Sequence, residues 1–172
     1  TESRKIKTDS MPAPETAIFD RDLLLAFRRR AFRQAAPGAD FLLRRMADDL
    51  AERLDAVERR FPVAVDLAGH TGLAAEAIAR SGKADRVLRI ERDADFLHGP
   101  FPAIVADEEM LPLKPGSADL VVSLMALHAT NDTPGTMVQI ARALKPDGLF
   151  LAALSGTGTL GELRESLLQA EI

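Results

Sequence analysis

The spacing of apolar residues along the chain changes near residue 60. Before that point apolar positions recur at helical intervals. The pattern predicts one helix from Asp20, a capping residue, to about Gln34, and a second from Asp40 to about Arg60. The second helix is predicted to present an apolar face formed by Phe41, Leu42, Met46, Leu50, Leu54 and Val57.

After Phe61 short apolar runs alternate with helical segments. Five strands are predicted, at Val63–Leu67, Arg86–Ile90, Ala103–Ala106, Asp119–Met125 and Gly148–Leu154. Helices are predicted at Thr71–Ser81, at Thr133–Leu144 and from Leu160 onward. This alternation is typical of an α/β fold with a doubly wound parallel sheet, for which we expect the strand order 3-2-1-4-5.

The chain is therefore predicted to have three parts. Residues 1–16 are polar and contain two prolines, which favours a flexible arm. Residues 17–60 form an N-terminal helical cap. Residues 61–172 form the α/β domain, and its last strand begins only some twenty-five residues before the chain ends.

Composition narrows the classes of function. The net charge of −4 gives no sign of a nucleic-acid partner. The absence of cysteine excludes disulfides and thiolate metal sites, and the three histidines show no ligand spacing, so no metal site is expected. No apolar run approaches the roughly 20 residues that span a bilayer. We expect a cytoplasmic protein, or one of the mitochondrial matrix if its source is eukaryotic.

The candidate chemistry lies after the strands, because ligands of open parallel sheets bind beyond the strands' carboxyl ends. After the first strand the segment Asp66–Gly72 opens a helix. Its glycines allow a ligand to approach the backbone, and the free N–H groups of the helix suit an anion. The alternative is an ordinary strand-to-helix turn.

Acidic residues follow the next two strands. Glu91 can accept hydrogen bonds from two ribose hydroxyls, or it can be one solvated charge in the run Glu91–Asp93. Within Ala106–Pro112, Asp107 can accept a hydrogen bond from an adenine amine, with Glu108 beside it. The alternative is an exposed acidic loop.

The fourth strand ends at a possible reaction centre. Ser123 lies near its carboxyl end, and His128 follows a few residues later. His128 is the candidate catalytic residue, as a general base or as a hydrogen-bond partner of the substrate. The alternative is a structural histidine.

Residues Phe61 to Glu171 resemble a class I S-adenosylmethionine (SAM)-dependent methyltransferase domain of type 11. The resemblance is closest to the subgroup of the methyltransferase-like assembly factor of respiratory complex I, and it extends to the malonyl-carrier-protein O-methyltransferase of biotin synthesis. The segments that carry it are Ala106–Pro112, Asp119–Ser123, Leu127–His128, Asn131–Asp132, Leu144–Gly148 and Thr159–Arg164, with Ile18–Arg21 near the start.

The resemblance implies SAM as the cofactor and a set of contacts to it. By position these contacts are Asp66, Ala68, Gly69, Gly72, Glu91, Asp107, Glu108 and Ser123. The implied activity is methyl transfer to a small-molecule or protein acceptor. The alternative is a non-methylating protein like the assembly factor, which is associated with hydroxylation of an arginine in a complex I subunit. In that case the basic run Arg28–Arg33 could be a partner-binding surface, unless it is a solvated helix face.

The chain departs from the family pattern in its glycine loop. The family has glycine at three alternate positions, which here hold Ala68, His70 and Gly72. The His70 side chain either crowds the methionyl end of the cofactor or points away from it. Where the family often has tryptophan, this chain has Ala129.

The resemblance also implies two further strands, six and seven, which this sequence lacks. Strand five should then lie at the edge of the sheet. Because Leu149–Leu154 carries no charge, we expect this edge to favour self-association into a homo-oligomer.

Overall fold

The computed structural model describes residues 17–170, so the predicted arm lies outside the described residues. Five parallel strands form one sheet in the order β3-β2-β1-β4-β5. The strands are β1 (Val63–Leu67), β2 (Arg86–Glu91), β3 (Ala103–Val105), β4 (Ala118–Leu124) and β5 (Leu144–Ala153). The predicted fold class and strand order are confirmed.

Five α-helices accompany the sheet in the described part of the chain. They are α1 (Arg21–Gln34), α2 (Phe41–Asp55), α3 (Leu73–Arg80), α4 (Thr133–Ala143) and α5 (Gly161–Ala170). Asp20 caps α1, as predicted, because its side chain accepts a hydrogen bond from the Leu23 amide at 2.9 Å. None of these helices is both long and apolar enough to cross a membrane.

Helix α2 begins after Asp40, as predicted, but it ends earlier than predicted. It stops at Asp55, because the Lys83 ammonium group binds the carbonyl oxygens of Leu54, Asp55 and Val57 and satisfies them without another helical turn. The predicted apolar face is also wrong at its start. Phe41 is 71% exposed and Leu42 43% exposed, since the first turn of α2 is not covered by the sheet.

The sheet has a core on each face. Helices α2 and α3 cover one face, where Leu54, Ile78 and Leu120 are buried. Helix α4 covers the other face, where Ile140 packs with Val65 and Val121. Successive residues of a strand point to opposite faces, so alternate positions of each strand contribute to the two cores.

Strand β5 begins earlier than predicted and contains a bulge. Its pairing partners shift from Ala118 with Leu144 to Leu120 with Leu149, so Lys145–Gly148 lies outside the ladder. Lys145 uses this position to bind Asp119 at 2.9 Å. As predicted, β5 lies at one edge of the described sheet.

Candidate functional site

The glycine loop between β1 and α3 keeps one backbone shape at three alternate positions. Ala68 and His70 both have φ of 54°, and Gly72 has φ of 83°. These are the positions at which the family pattern has glycine. A left-handed conformation costs a residue with a Cβ atom about 1–2 kcal/mol. Ala68 and His70 therefore replace glycine at two of these positions, and the backbone is strained at both.

The amides of this loop are already engaged. Ala68 donates its N–H to the carbonyl oxygen of Ile90 at 2.8 Å, and Gly72 donates to that of Gly69 at 3.4 Å. The His70 amide donates to the Glu91 carboxylate. Three backbone donors of the loop are thus occupied by the chain itself.

Arg89 of β2 binds the glycine loop through an ion pair and hydrogen bonds, a role that sequence reasoning missed. Its side chain is 1% exposed and its Nε atom lies 3.3 Å from Oδ2 of Asp66. Its Nη2 donates to the His70 carbonyl oxygen at 2.9 Å and its Nη1 to that of Phe96 at 2.9 Å. A Cβ atom at Gly72 would lie 3.1 Å from its guanidinium carbon, so Gly72 is also needed for space.

Two acidic groups below the loop are buried. Burial raises the pKa of Glu91 to about 8, and the negative charge of Asp66 adds to the effect. Burial also raises the pKa of Asp66 to about 6, although the Arg89 charge works in the opposite direction. Asp66 and Glu91 both lie near the carboxyl ends of their strands. Both side chains point to the face of the sheet that carries α3.

The His70 side chain points into the site, which is one of the two orientations that the sequence left open. Its ring meets the Phe96 ring edge-on, with centroids 5.9 Å apart. Burial, together with the charges of Arg28 and Arg89, lowers the pKa of His70 to about 3, so the ring is neutral. Within the described residues neither ring nitrogen has a hydrogen-bond partner.

Helix α1 lies over the acidic loop after β3. Arg21 Nη1 is 2.9 Å from Asp107 Oδ1, and Arg21 Nη2 is 2.7 Å from Glu108 Oε1. Burial would lower the pKa of Arg21, but the charges of Glu108 and Asp107 outweigh it and the pKa is raised. Arg92 approaches Asp107 as well, at 3.2 Å. Asp107 and Glu108 are therefore held by cations of the same chain.

More ion pairs and an aromatic contact extend this attachment. Arg29 pairs with Asp93, and Arg33 with Asp95 at 3.1 Å. The Phe32 ring meets the Phe96 ring edge-on at 5.4 Å. Two arginines of the basic run predicted as a partner surface are thus bound within the chain. No residue of α1 is fully buried, so polar contacts hold this helix more than apolar packing does.

Two cavities meet beneath α1. The inner one, between α1 and the strand ends, has a volume of only about 10 Å³ and includes Glu91 and Glu108 in its wall. The outer one measures about 550 Å³ and lies between α1, α2 and the glycine loop. Its wall is mainly apolar, with Phe32, Leu43 and Met125 among its members. Arg28, His70 and Phe96 border both cavities.

The residues predicted after β4 are placed differently from the others. His128 lies in a short 3-10 turn, Leu127–Ala129, where burial and the Arg28 charge lower its pKa. Ser123 is buried on the face of the sheet opposite Asp66 and Glu91, and within residues 17–170 its hydroxyl has no partner. In the same range no group of three acidic or histidine side chains is arranged to hold a metal ion.

Comparison with known proteins gives a consistent set of relatives. Residues 65–152 match the model of a family described as a methyltransferase domain. The human mitochondrial arginine-hydroxylase NDUFAF5 is 39% identical over 160 residues, which covers 90% of this chain and 46% of that protein. The malonyl-[acyl-carrier protein] O-methyltransferase of Xylella fastidiosa is 31% identical over 156 residues, covering 83% and 53%.

The fold is also found among solved structures. The complex between the Trm112 methyltransferase activator of Haloferax volcanii and its methyltransferase matches with a TM-score of 0.61 and 24% identity. That match covers 74% of this chain and 59% of the other. The chain spans about half the length of the curated relatives it matches.

Proposed function

Because the chain belongs to the methyltransferase domain family, we propose that it binds SAM at the ends of β1, β2 and β3 and transfers its methyl group to an acceptor. One observation carries this proposal. The glycine loop, Glu91 and the pair Asp107–Glu108 lie at the carboxyl ends of the three neighbouring strands β1, β2 and β3. The resemblance to class I methyltransferases that the sequence predicted is confirmed by the family match.

The proposed contacts assign each segment to one part of SAM. Glu91 accepts hydrogen bonds from the ribose hydroxyls. Asp107 and Glu108 accept hydrogen bonds from the adenine amine. The loop formed by Asp66, Ala68, Gly69 and Gly72 faces the methionyl end. Ser123 was predicted as a further contact, but it is buried on the opposite face of the sheet, so this proposal gives it no contact with SAM.

The carboxylate acceptors suit SAM, while the inner cavity leaves little room for it. Carboxylates stand where a nucleoside needs acceptors, yet the space between them and α1 is about 10 Å³. Arg21 occupies the carboxylates that adenine would use. Binding in the proposed position therefore requires α1 to move outward or Arg21 to leave Asp107.

In methyl transfer the reactivity comes from SAM, and the residues of the chain mainly position the reactants. When bound, SAM supplies an electrophilic methyl group whose bond to sulfur breaks as the acceptor bonds to carbon, and the electron pair stays on sulfur. The protein aligns the acceptor and excludes water from the reacting atoms. In this proposal His128 takes a proton from an acceptor that must lose one, and its lowered pKa keeps it neutral for this role.

Titration calorimetry with SAM and its demethylated product tests the proposal. Leaving the buried ribose hydroxyls without their acceptor costs about 1–3 kcal/mol, so Glu91→Ala should weaken SAM binding by roughly tenfold or more. Glu58→Ala is the matched control, because Glu58 is exposed and lies away from the strand ends. Equal affinity of the Glu91 variant and the wild type would remove Glu91 from the site.

A second candidate function is modification of a protein arginine. The 39% identity to human NDUFAF5, an arginine-hydroxylase, favours it. The candidate partner, a respiratory complex I subunit, comes from the resemblance of the sequence to the assembly-factor subgroup. Mass spectrometry of an arginine-containing acceptor, after incubation with the protein, SAM, dioxygen and an electron donor that reduces the second oxygen atom to water, distinguishes the two functions. Methyl transfer adds the mass of a methylene group, whereas hydroxylation adds that of an oxygen atom.

A further inference from the structure

Arg28 of α1 lies where the two cavities meet. Its side chain is half-buried and lines both the inner cavity with Glu91 and Glu108 and the outer apolar one. Its neighbours Arg21, Arg29 and Arg33 are each paired with a carboxylate. Among the residues that the structure describes, Arg28 has no such pair and no hydrogen bond.

The surroundings of Arg28 leave its charge only partly balanced. Burial lowers its pKa, and the charges of Arg21 and Arg92 act in the same direction. Glu108 and Glu91 oppose the shift without contacting it. A half-buried guanidinium group that has no ion-pair partner among the described residues keeps its N–H donors available, and an anionic ligand offsets the cost of its partial burial.

Three amides of the glycine loop are not free to bind an anion in its place. The amides of Ala68, His70 and Gly72 are bonded to oxygen atoms of the chain. His70 also brings a neutral imidazole to the position where a bare glycine would expose the backbone. A carboxylate that enters this end of the site needs another donor, and a guanidinium group supplies two parallel N–H groups.

We propose that Arg28 is the carboxylate-binding residue of this site, at the junction of the inner cavity and the 550 Å³ apolar cavity. The inference rests on the proposed function and adds a residue and a ligand group to it. Two carboxylates can meet Arg28 there: the methionyl carboxylate of SAM, and the carboxylate of an acceptor whose apolar part fills the outer cavity.

Titration calorimetry on the 172-residue chain separates these sources. The probes are SAM, decarboxylated SAM, which lacks only the carboxylate, and octanoate, a carboxylate with an apolar tail. The variants are Arg28→Gln and Arg28→Lys. Arg30→Gln is the control, since Arg30 lies two residues away on the exposed side of α1.

If the carboxylate is that of SAM, Arg28→Gln lowers SAM affinity by about tenfold or more and leaves decarboxylated SAM within about twofold. Arg28→Lys keeps part of the affinity, and Arg30→Gln keeps all of it. If the carboxylate is the acceptor's, Arg28→Gln abolishes octanoate binding and spares SAM. Both results support the inference.

Three outcomes overturn it. Equal losses for SAM and decarboxylated SAM would mean that Arg28 only positions α1. Unchanged binding of every probe by Arg28→Gln would remove Arg28 from ligand binding. A wild type that binds no SAM defeats the proposed function, and octanoate then decides separately for Arg28: binding that is absent or independent of Arg28 rejects it.

Discussion

Arg21 of α1 and Asp107 after β3 form an ion pair 2.9 Å long at the place where the proposed adenine contact lies. The two residues are separated by 86 positions in sequence. Arg21 also holds Glu108, so one side chain engages both candidate adenine acceptors. Any ligand that uses Asp107 has to compete with this arginine.

This competition predicts the effect of Arg21→Gln. Removing the guanidinium frees Glu108 and leaves Asp107 with Arg92 as its remaining cation, which raises the fraction of molecules able to bind, so SAM affinity should rise by roughly severalfold. Arg33→Gln breaks the exposed pair with Asp95 and should leave the affinity unchanged. Calorimetric titration of both variants measures the difference. A weaker affinity of the Arg21 variant would mean that Arg21 contributes to the bound state.

The strained loop predicts the effect of His70→Gly. Glycine adopts the observed φ of 54° at little cost, and its introduction clears the imidazole from the site. We expect tighter SAM binding with little loss of stability, because relief of about 1–2 kcal/mol of strain offsets the lost packing on Phe96. Asp147→Gly relieves a similar φ of 60° far from the site and is the control. A fall in affinity would show that His70 itself binds the ligand.

Glu91 predicts a pH dependence of stability. Its pKa is raised in the folded state to about 8, so its contribution is fully present below its unfolded value, near 4.5, and is lost as the pH rises through about 8. Glu91→Gln cannot ionise and should lose less stability between pH 5 and pH 8 than the wild type does. Thermal unfolding at both pH values measures this, with Glu58→Gln as the control. Parallel pH profiles for wild type and Glu91→Gln would contradict a buried, protonated Glu91.

Asp119 predicts the opposite pH dependence at the other end of the sheet. Burial would raise its pKa, but hydrogen bonds from Lys145 and from the Val63 amide outweigh it and lower the pKa. Its contribution is present above the unfolded value and is lost as the pH falls through the folded pKa. Asp119→Asn should cost about 1–3 kcal/mol in urea unfolding at pH 7 and less at pH 3. Asp85→Asn, in an exposed pair, should cost little at either pH. A constant cost would exclude the charge as the cause.

The edge strand predicts self-association. The outer side of β5 is unpaired within the described sheet, and its run Leu149–Leu154 is uncharged. Light scattering of the chain at increasing concentration should show oligomers, and Ala152→Lys should reduce them by placing a charge on the edge. Ala79→Lys, the control, adds the same charge at an exposed position of α3. Oligomers that persist in the Ala152 variant would point to another surface, such as the exposed leucines of α5.

Local periodicity was sufficient to predict the fold, and it could not predict the state of the site. Each strand was found within a few residues, since buried parallel strands are continuous apolar runs bounded by turn residues. The bulge in β5 was missed because it depends on pairing with β4. Arg89 was missed for a related reason. A charged residue inside an apolar strand is understood only when its partners, Asp66 and the His70 carbonyl, are known.

Some residues of the site could be predicted from the sequence, and others could be found only in the structure. Glu91 and Asp107 were selected because strand ends identify them, and the structure places them at the carboxyl ends of neighbouring strands. The ion pairs of Arg21 join α1 to residues more than eighty positions away, and Arg28 lines its two cavities only because α1 lies over the strand ends. No sequence pattern of α1 reveals either arrangement. The family pattern marked His70 as unusual, and its left-handed φ became visible only in the backbone.

Helix α1 is attached by arginine–carboxylate pairs and has no fully buried residue. Contacts of this kind weaken as dissolved ions screen them, with a screening length of about 8 Å at physiological ionic strength. The helix should therefore leave the sheet more often in concentrated salt than in dilute buffer, while the two apolar cores are unaffected. How fast a ligand reaches Glu91 then depends on the surrounding electrolyte, and the association rate constant becomes a direct measure of how long α1 stays in place.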